Sequence, residues 1–272
     1  MRRRLDAELV RRGLVGSRSG AADVIRSGRV LVGGAPAATP ARQVAAGEAI
    51  TVTGPGARFV SRGGDKLDAA LRRFDVDITG RRVLDAGAST GGFTDCLLQA
   101  GAARVYAVDV GRGQLAWALR GDPRVTVLER TNVRALEPEA LGGPVEAVTA
   151  DLSFISLLTV APALARCAAP GADLVLLIKP QFEAGRARVG KGGVVRNPAV
   201  HRSVLHDVAG GLGRAGLPVR RLMPSPRRGA DGNIEFFVHC AAGDPVRHSV
   251  PPTAILPTAV DAAVDEGHRM HG

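Results

Sequence analysis

The feature that most narrows the fold is the unbroken segment Val83-Leu84-Asp85-Ala86-Gly87-Ala88-Ser89-Thr90-Gly91-Gly92-Phe93-Thr94. An apolar run ends in an acid, passes through a glycine-rich turn and enters a helical stretch, which is the start of a strand–helix crossover. Glycines let backbone amides approach a ligand closely at a helix N-terminus, where negative or partly negative groups are favoured. The alternation then repeats. Patterning predicts strands at residues 82–85, 104–109, 125–128, 147–151, 173–178, 219–223 and 234–239, with helices at 91–100, 157–168 and 198–215 between them. Parallel strands joined by helical crossovers give a doubly wound α/β sheet. The last two strands flank a loop rich in Gly, Pro and Arg (224–233), so they are expected to pair antiparallel and complete a seven-stranded, mostly parallel sheet.

Residues 1–56 read as a separate, small α+β unit. Residues 5–14 place Leu5, Leu9 and Val10 on one helical face, and a second helix at 19–27, capped by Ser17 or Ser19, is expected to bury Ala22, Val24 and Ile25. Strands at 28–34 and 49–52 complete the unit. Gly54-Pro55-Gly56 marks a break, 57–62 a linker, 63–243 the large domain, and 244–272 a Pro-rich tail with a helix at 258–266. Charge sharpens this division. Residues 1–62 carry eleven Arg against four acids, a net +7 of the chain's +10. A basic balance packed into one end is the footprint of a polyanionic partner, with Arg3, Arg4, Arg11, Arg18, Arg26 and Arg29 as the expected contacts. No apolar run approaches the ~20 residues that span a bilayer. The basic start leads into charged helix rather than a signal-peptide apolar segment, so a cytoplasmic protein is expected. Cys96, Cys167 and Cys240 are isolated, which predicts buried thiols and neither metal nor disulfide.

Of 36 basic residues, only Lys66, Lys179 and Lys191 are lysine. Arginine serves phosphate contacts at least as well, whereas a group that must give up a proton cannot be a guanidinium. Lys66 precedes the sheet, Asp151 ends its fourth strand, Lys179 its fifth, and Glu235 lies in its last. Ligands of open α/β sheets bind at the carboxyl ends of the strands, which points Asp151 and Lys179 at the glycine-rich loop. That loop, Gly87-x-x-x-Gly91-Gly92, is not the G-x-G-x-x-G of NAD or FAD sites. Asp85 suits a ligand with an amino-acid ammonium group, Asp109 the ribose hydroxyls, and Asn132 an adenine. The expected cofactor is therefore S-adenosylmethionine, held by Asp85, Gly87, Ala88, Ser89, Thr90, Gly91, Gly92, Phe93, Asp109, Asn132 and Asp151. Phe154 and Phe182 are expected to pack in the core rather than stack on an extruded base. For Lys191, in the flexible loop Gly190-Lys191-Gly192-Gly193, a phosphate contact and no contact are even readings.

Two resemblances follow from these residues. Arg18, Ala22, Ile25, Gly28, Val30, Val32 and Gly33 resemble the S4-type RNA-binding signature R-x-x-A-x-x-x-I-x-x-G-x-V-x-V-x-G, with Ala22 one residue out of register. Lys66, Asp151, Lys179 and Glu235 resemble the Lys-Asp-Lys-Glu tetrad of FtsJ-like ribose 2′-O-methyltransferases. The words SRGGDKL, LDAGASTGGFTD, VDVGRGQLAW, ADLSFIS, LIKPQFE, VGKGGVVRNP and GNIEFF are similar to the TlyA family, across essentially the whole chain. The resemblance implies a class I, Rossmann-like methyltransferase behind an S4-like domain, acting on cytidine 2′-hydroxyls of 16S or 23S ribosomal RNA or both. It implies that Lys179 orients or activates the hydroxyl, Asp151 and Glu235 position it, and Lys66 completes the electrostatic site. Three rivals compete: a non-catalytic RNA-binding or ribosome-assembly factor, a membrane-active haemolysin, and a methyltransferase for small molecules or protein. The intact tetrad opposes the first and the basic N-terminal module the third. The second lacks an amphipathic apolar helix of adequate length.

Overall fold

The computed structural model describes residues 2–16, 18–54, 57–229, 231–243 and 256–272. Strand β1 (Arg2–Arg4) leads into helices α1 (Leu5–Arg11) and α2 (Arg18–Arg26), then β2 (Val30–Val32), β3 (Ala35–Pro36), β4 (Gln43–Ala45) and β5 (Ile50–Val52). β2 pairs antiparallel with β3 and β5, and β1 with β4. The two helices cover a core of Leu5, Leu9, Val24, Ile25, Val30 and Val32. One expected contact is corrected here: Ala21, rather than Ala22, is buried in this core. Ala21, Val24 and Ile25 fall at i, i+3 and i+4 on one helical stripe, which Ala22 does not share. Ala21 also stands three residues after Arg18 and four before Ile25, so the S4-type spacing holds without a departure. Ser17, Pro55, Gly56 and the tail segment 244–255, all assigned roles on sequence grounds, lie outside the described residues.

The larger unit begins with α3 (Arg62–Phe74), which the strand–helix patterning had not marked. Ser61 caps it by accepting from the Gly63 N–H, and Leu67, Ala70, Leu71 and Phe74 form its buried stripe. Its glycine-rich first turn looks like a loop in sequence. The reason for Gly64 is tertiary: any Cβ there would collide with the Phe59 ring. Phe59, in the stretch expected to be a linker, is itself buried in this core.

The chain then runs β6 (Arg82–Ala86), α4 (Gly92–Gln99), β7 (Arg104–Val108), α5 (Trp117–Arg120), β8 (Val125–Leu128), β9 (Val145–Ala150), α6 (Leu157–Cys167), β10 (Ala168–Ile178), α7 (Pro180–Glu183), α8 (Pro198–Arg214), β11 (Val219–Pro224), β12 (Phe236–Ala241) and α9 (Leu256–His271). The sheet order is β11-β12-β10-β9-β6-β7-β8. The β10, β9, β6, β7 and β8 neighbours are parallel, while β12 is antiparallel to both β10 and β11. This is the seven-stranded, mostly parallel sheet expected. Strand order reverses between β6 and β9, which opens a crevice at their carboxyl ends. Apolar side chains fill both faces of the sheet. The tail helix α9 is longer than expected and buries Val260, Ala263 and Val264 against the rest of the domain.

Candidate active site

The crevice is built by backbone before any side chain enters it. The Gly87 and Ala88 N–H groups donate to the Val108 carbonyl at 2.8 and 3.1 Å, drawing the loop after β6 onto β7. Gly87 has φ +87°, and a Cβ there would stand 2.5 Å from the Asp151 carbonyl oxygen. Only glycine lets this loop lie against the end of β9. Above it is a cavity of about 320 Å³, with Gly87–Thr90 and Phe93 on one side and Lys66, Asp151, Lys179 and Glu235 on the other.

The four polar residues form two ion pairs. Lys66 Nζ donates to Glu235 Oε2 at 2.6 Å, with the residues only 8% and 2% exposed. Lys179 Nζ lies 2.6 Å from Asp151 Oδ1 and donates to the Ser153 hydroxyl at 2.9 Å. Burial pushes the Glu235 carboxyl above its ordinary range, against the pull of the neighbouring Lys66 charge. Two cations balance two carboxylates, so no buried charge is left uncompensated. The fit around Glu235 is tight: a side chain on Gly229 would overlap its Oε1.

The expected cofactor residues divide by depth. Gly87, Ala88, Ser89, Thr90, Gly92 and Phe93 line the cavity, whereas Gly91 caps α4 beneath it with φ +96°. Asp85 is fully buried under the loop, not in the cavity. Its oxygens accept from Thr94 Oγ1 at 2.6 Å and Thr149 Oγ1 at 3.3 Å, and burial pushes its carboxyl up to about 7. Asp109 accepts from the Ser89 and Gly111 N–H groups at 2.8 and 2.7 Å, fixing the wall of a small adjoining hollow. Asn132 does not reach the cavity. It is exposed and caps the short turn Val133–Ala135 by accepting from the Arg134 N–H. Ser61, Arg62, Gly63 and Ser153 line the cavity and were not foreseen. Ser61 carried a usable signal, since it is a good N-cap just before Lys66; the others carried none.

Phe154 corrects another expectation. It is 91% exposed, at φ +65°, and its ring lies 5.3 Å from that of Phe182. The left-handed turn after β9 swings the ring out of the core, over a second cavity of about 340 Å³ that shares Lys179, Ser153 and Glu235 with the first. Glu183, from the same LIKPQFE word as Lys179, has a local task. It accepts from Ser156 Oγ and the Leu157 N–H, both at 2.7 Å, and so holds the start of α6.

The N-terminal arginines are largely engaged with acids. Arg4 and Arg18 pair with Asp6, Arg11 with Glu8 and Arg26 with Asp23, and Arg29 donates to the Thr53 carbonyl. Arg3 is exposed with no ion pair among the described residues.

A glycine-rich crevice fused to a lysine–carboxylate tetrad, behind a basic α+β module, defines a class of protein: a methyltransferase with an RNA-binding N-terminal domain. Residues 59–241 match the FtsJ-like methyltransferase family and residues 3–50 the S4 domain. The chain is 54% identical over 238 residues to the 16S/23S rRNA (cytidine-2′-O)-methyltransferase TlyA of Mycobacterium tuberculosis, covering 87% of this chain and 89% of that one. It is 38% identical to Hemolysin A of Brachyspira hyodysenteriae, covering 87% and 98%. A solved structure from Streptococcus thermophilus, described as a candidate hemolysin, superposes with a TM-score of 0.80 at 39% identity, covering 99% and 96%. The chain belongs to the TlyA family of FtsJ-like methyltransferases. Its methyl donor is S-adenosylmethionine, and the residues present fit it. The Gly87–Thr90 loop, which can lie close against the end of β9 because Gly87 has no side chain, lines the same cavity as the tetrad, and Ala88 and Ser89 also line the hollow that holds Asp109. Among the described residues no helix is long and apolar enough to cross a membrane.

Proposed function

We propose that this protein methylates the ribose 2′-hydroxyl of cytidine in ribosomal RNA, in the 16S species, the 23S species or both, and works in the cytoplasm on ribosomal subunits. The observation that carries the reading is the convergence of the Lys66–Glu235 and Lys179–Asp151 pairs where the glycine-rich crevice meets the cavity under Phe154.

S-adenosylmethionine, when bound, supplies an electrophilic sulfonium methyl. A ribose hydroxyl is a weak nucleophile, so it must be aligned with that methyl and relieved of its proton. Lys179 Nζ, fixed by Asp151 and Ser153, orients the hydroxyl, and the departing proton is relayed through it to the Asp151 carboxylate, Lys179 passing one of its own protons to Asp151 as it takes up that of the hydroxyl. The Lys66–Glu235 pair holds the opposite wall of the same cavity. Gly87–Phe93 and Asp109 hold the cofactor, with Asp85 bracing the loop from below. Phe154 offers an open face to a base extruded from its stack. Residues 1–56 recruit the RNA through Arg3, Arg4, Arg11, Arg18, Arg26 and Arg29, and residues 63–243 perform the transfer.

The test is methyl transfer from labelled S-adenosylmethionine to purified bacterial ribosomal subunits, comparing wild type with Lys179→Ala and mapping the product. Label in ribose that vanishes in the variant is expected. No incorporation into any ribosomal particle, despite cofactor binding, would move the acceptor elsewhere.

A further inference from the structure

The loop between α7 and α8, residues 185–196, forms a wall of the acceptor side that neither the tetrad nor the glycine-rich crevice accounts for. Gly185, Gly192 and Gly193 take positive φ, which lets the backbone turn there, while Val195 is buried in the core and Val189 packs against it. Of its four cations, Arg188 donates to the Ala184 carbonyl and the Ser203 hydroxyl, whereas Arg186, Lys191 and Arg196 are exposed and make no ion pair or side-chain hydrogen bond among the described residues. In the S4 domain, by contrast, Asp6 and Glu8 hold Arg4, Arg11, Arg12 and Arg18.

One residue from a distant element pins this loop. Asn233 is fully buried; its Oδ1 accepts from the Val195 N–H and its Nδ2 donates to the Gly193 carbonyl, each at 2.9 Å. With a backbone donor on one side and a backbone acceptor on the other, the amide fits in one orientation. Asn233 also stands two residues before Glu235, and both lie in the segment leading into β12 rather than in the strand where Glu235 was expected, so the stretch that carries a tetrad carboxylate carries the pin as well. Val189 and Gly193 of the pinned loop line the cavity that contains Lys179, Phe154 and Glu235.

We propose that residues 185–196 are the wall that grips the acceptor RNA backbone beside the reacting ribose, with Asn233 as the positioning residue that seats this wall against Glu235. The inference rests on the rRNA methyl-transfer reading above. Cations without internal partners give up no ion pair when they meet phosphate, and charge-assisted contacts to phosphate fix position without reading sequence. A glycine-rich loop would lose conformational freedom on binding RNA. The Asn233 amide orders it beforehand, so less of that cost falls on the complex.

The experiment uses the full chain, purified bacterial ribosomal subunits as the probe, and three readouts: subunit affinity against salt, steady-state methylation, and S-adenosylmethionine affinity. In the triple variant Arg186→Gln, Lys191→Gln, Arg196→Gln, subunit affinity should fall on the order of tenfold or more. The slope of log affinity against log salt should shrink by roughly 2, since each lost phosphate contact removes ~0.7–0.9. KM for the subunit should rise more than kcat falls, with cofactor affinity retained. Wild-type affinity and salt slope in that variant would overturn the RNA-gripping role. Asn233→Ala should raise KM for the subunit and lower kcat while cofactor affinity holds. A wild-type KM, or an equal loss of cofactor affinity, would overturn the positioning role. If Asn233→Ala does not fold, the surface triple variant still decides whether the wall binds RNA. A wild-type protein that binds subunits but transfers no methyl to their RNA would refute the methyl-transfer reading, leaving the binding arm to judge the wall by itself.

Discussion

Lys66 and Glu235 are 169 residues apart in sequence and 2.6 Å apart in space. Both are buried, so removing either leaves the other as an uncompensated charge, which costs of order 3–5 kcal/mol. Lys66→Ala is therefore expected to lower the thermal midpoint clearly as well as to abolish activity. Lys179→Ala, whose partner Asp151 is partly solvated, should lose activity by about 100-fold or more with a smaller change in melting. Melting curves of the two variants side by side test this, and equal midpoints would mean that the buried pair is not coupled to the fold. Asp85 makes a prediction of opposite kind. Its carboxyl, raised from 3.8 to about 7 by burial, binds a proton in the folded state that the unfolded chain has already released. Wild-type stability should therefore fall as pH rises between about 4 and 7. Asp85→Asn keeps an acceptor for Thr94 and removes the titration, so its denaturant midpoints should be flatter across that window. An unchanged slope would place the titrating group elsewhere. At this scale the sequence was legible in its chemistry: the scarcity of lysine singled out Lys66 and Lys179 before any geometry. It was not legible in depth. Asp85 and Asn132 were read as direct ligand contacts because acids and amides after strands suit ligands, but Asp85 is buried beneath the loop and Asn132 caps a turn, since the same groups are also good partners for threonine hydroxyls and backbone N–H.

Among the elements, the strands were clear because buried parallel strands read as apolar runs, and LVLLI before Lys179 can hardly be anything else. Helix α3 was hidden by the glycines of its first turn, whose purpose is to admit Phe59 and the α4 loop. Helix α9 shows the same limit at the other end. It packs over the β11–β12 hairpin that carries Glu235, and Gly267 comes so close that a Cβ would lie 3.1 Å from Pro224 and 3.2 Å from Ile234. Gly267→Val should therefore overpack this contact and destabilise the domain by roughly 1–3 kcal/mol. Denaturant unfolding measures it. Wild-type stability would show that α9 is free to shift away from the hairpin.

For the molecule as a whole, the asymmetry of charge is the governing fact. Residues 1–56 carry nine Arg against four acids, a net +5 in 56 residues, against a net +5 spread over the other 216, so the module is the denser attractor for a polyanion. Removing residues 1–58, which spares Phe59 and its contacts in the larger core, should abolish methylation of ribosomal subunits and leave S-adenosylmethionine binding nearly intact. Retained RNA activity in the truncated chain would refute recruitment by the module. The amino-acid sequence alone determined the two-unit organisation, the order of strands and crossovers, the cofactor loop and the identity of the tetrad. These depend on local periodicity, on charge counted along the chain and on residue types whose chemistry has few substitutes. The tertiary structure decided which carboxylate pairs with which lysine, which acids face the cavity and which brace it, and that Phe154 faces outward. It also decided that Asn233 reaches back to the 185–196 loop. Each of these is a contact between residues far apart in the chain, and its energy depends on burial and approach distance, which exist only once the sheet has brought the strand ends together.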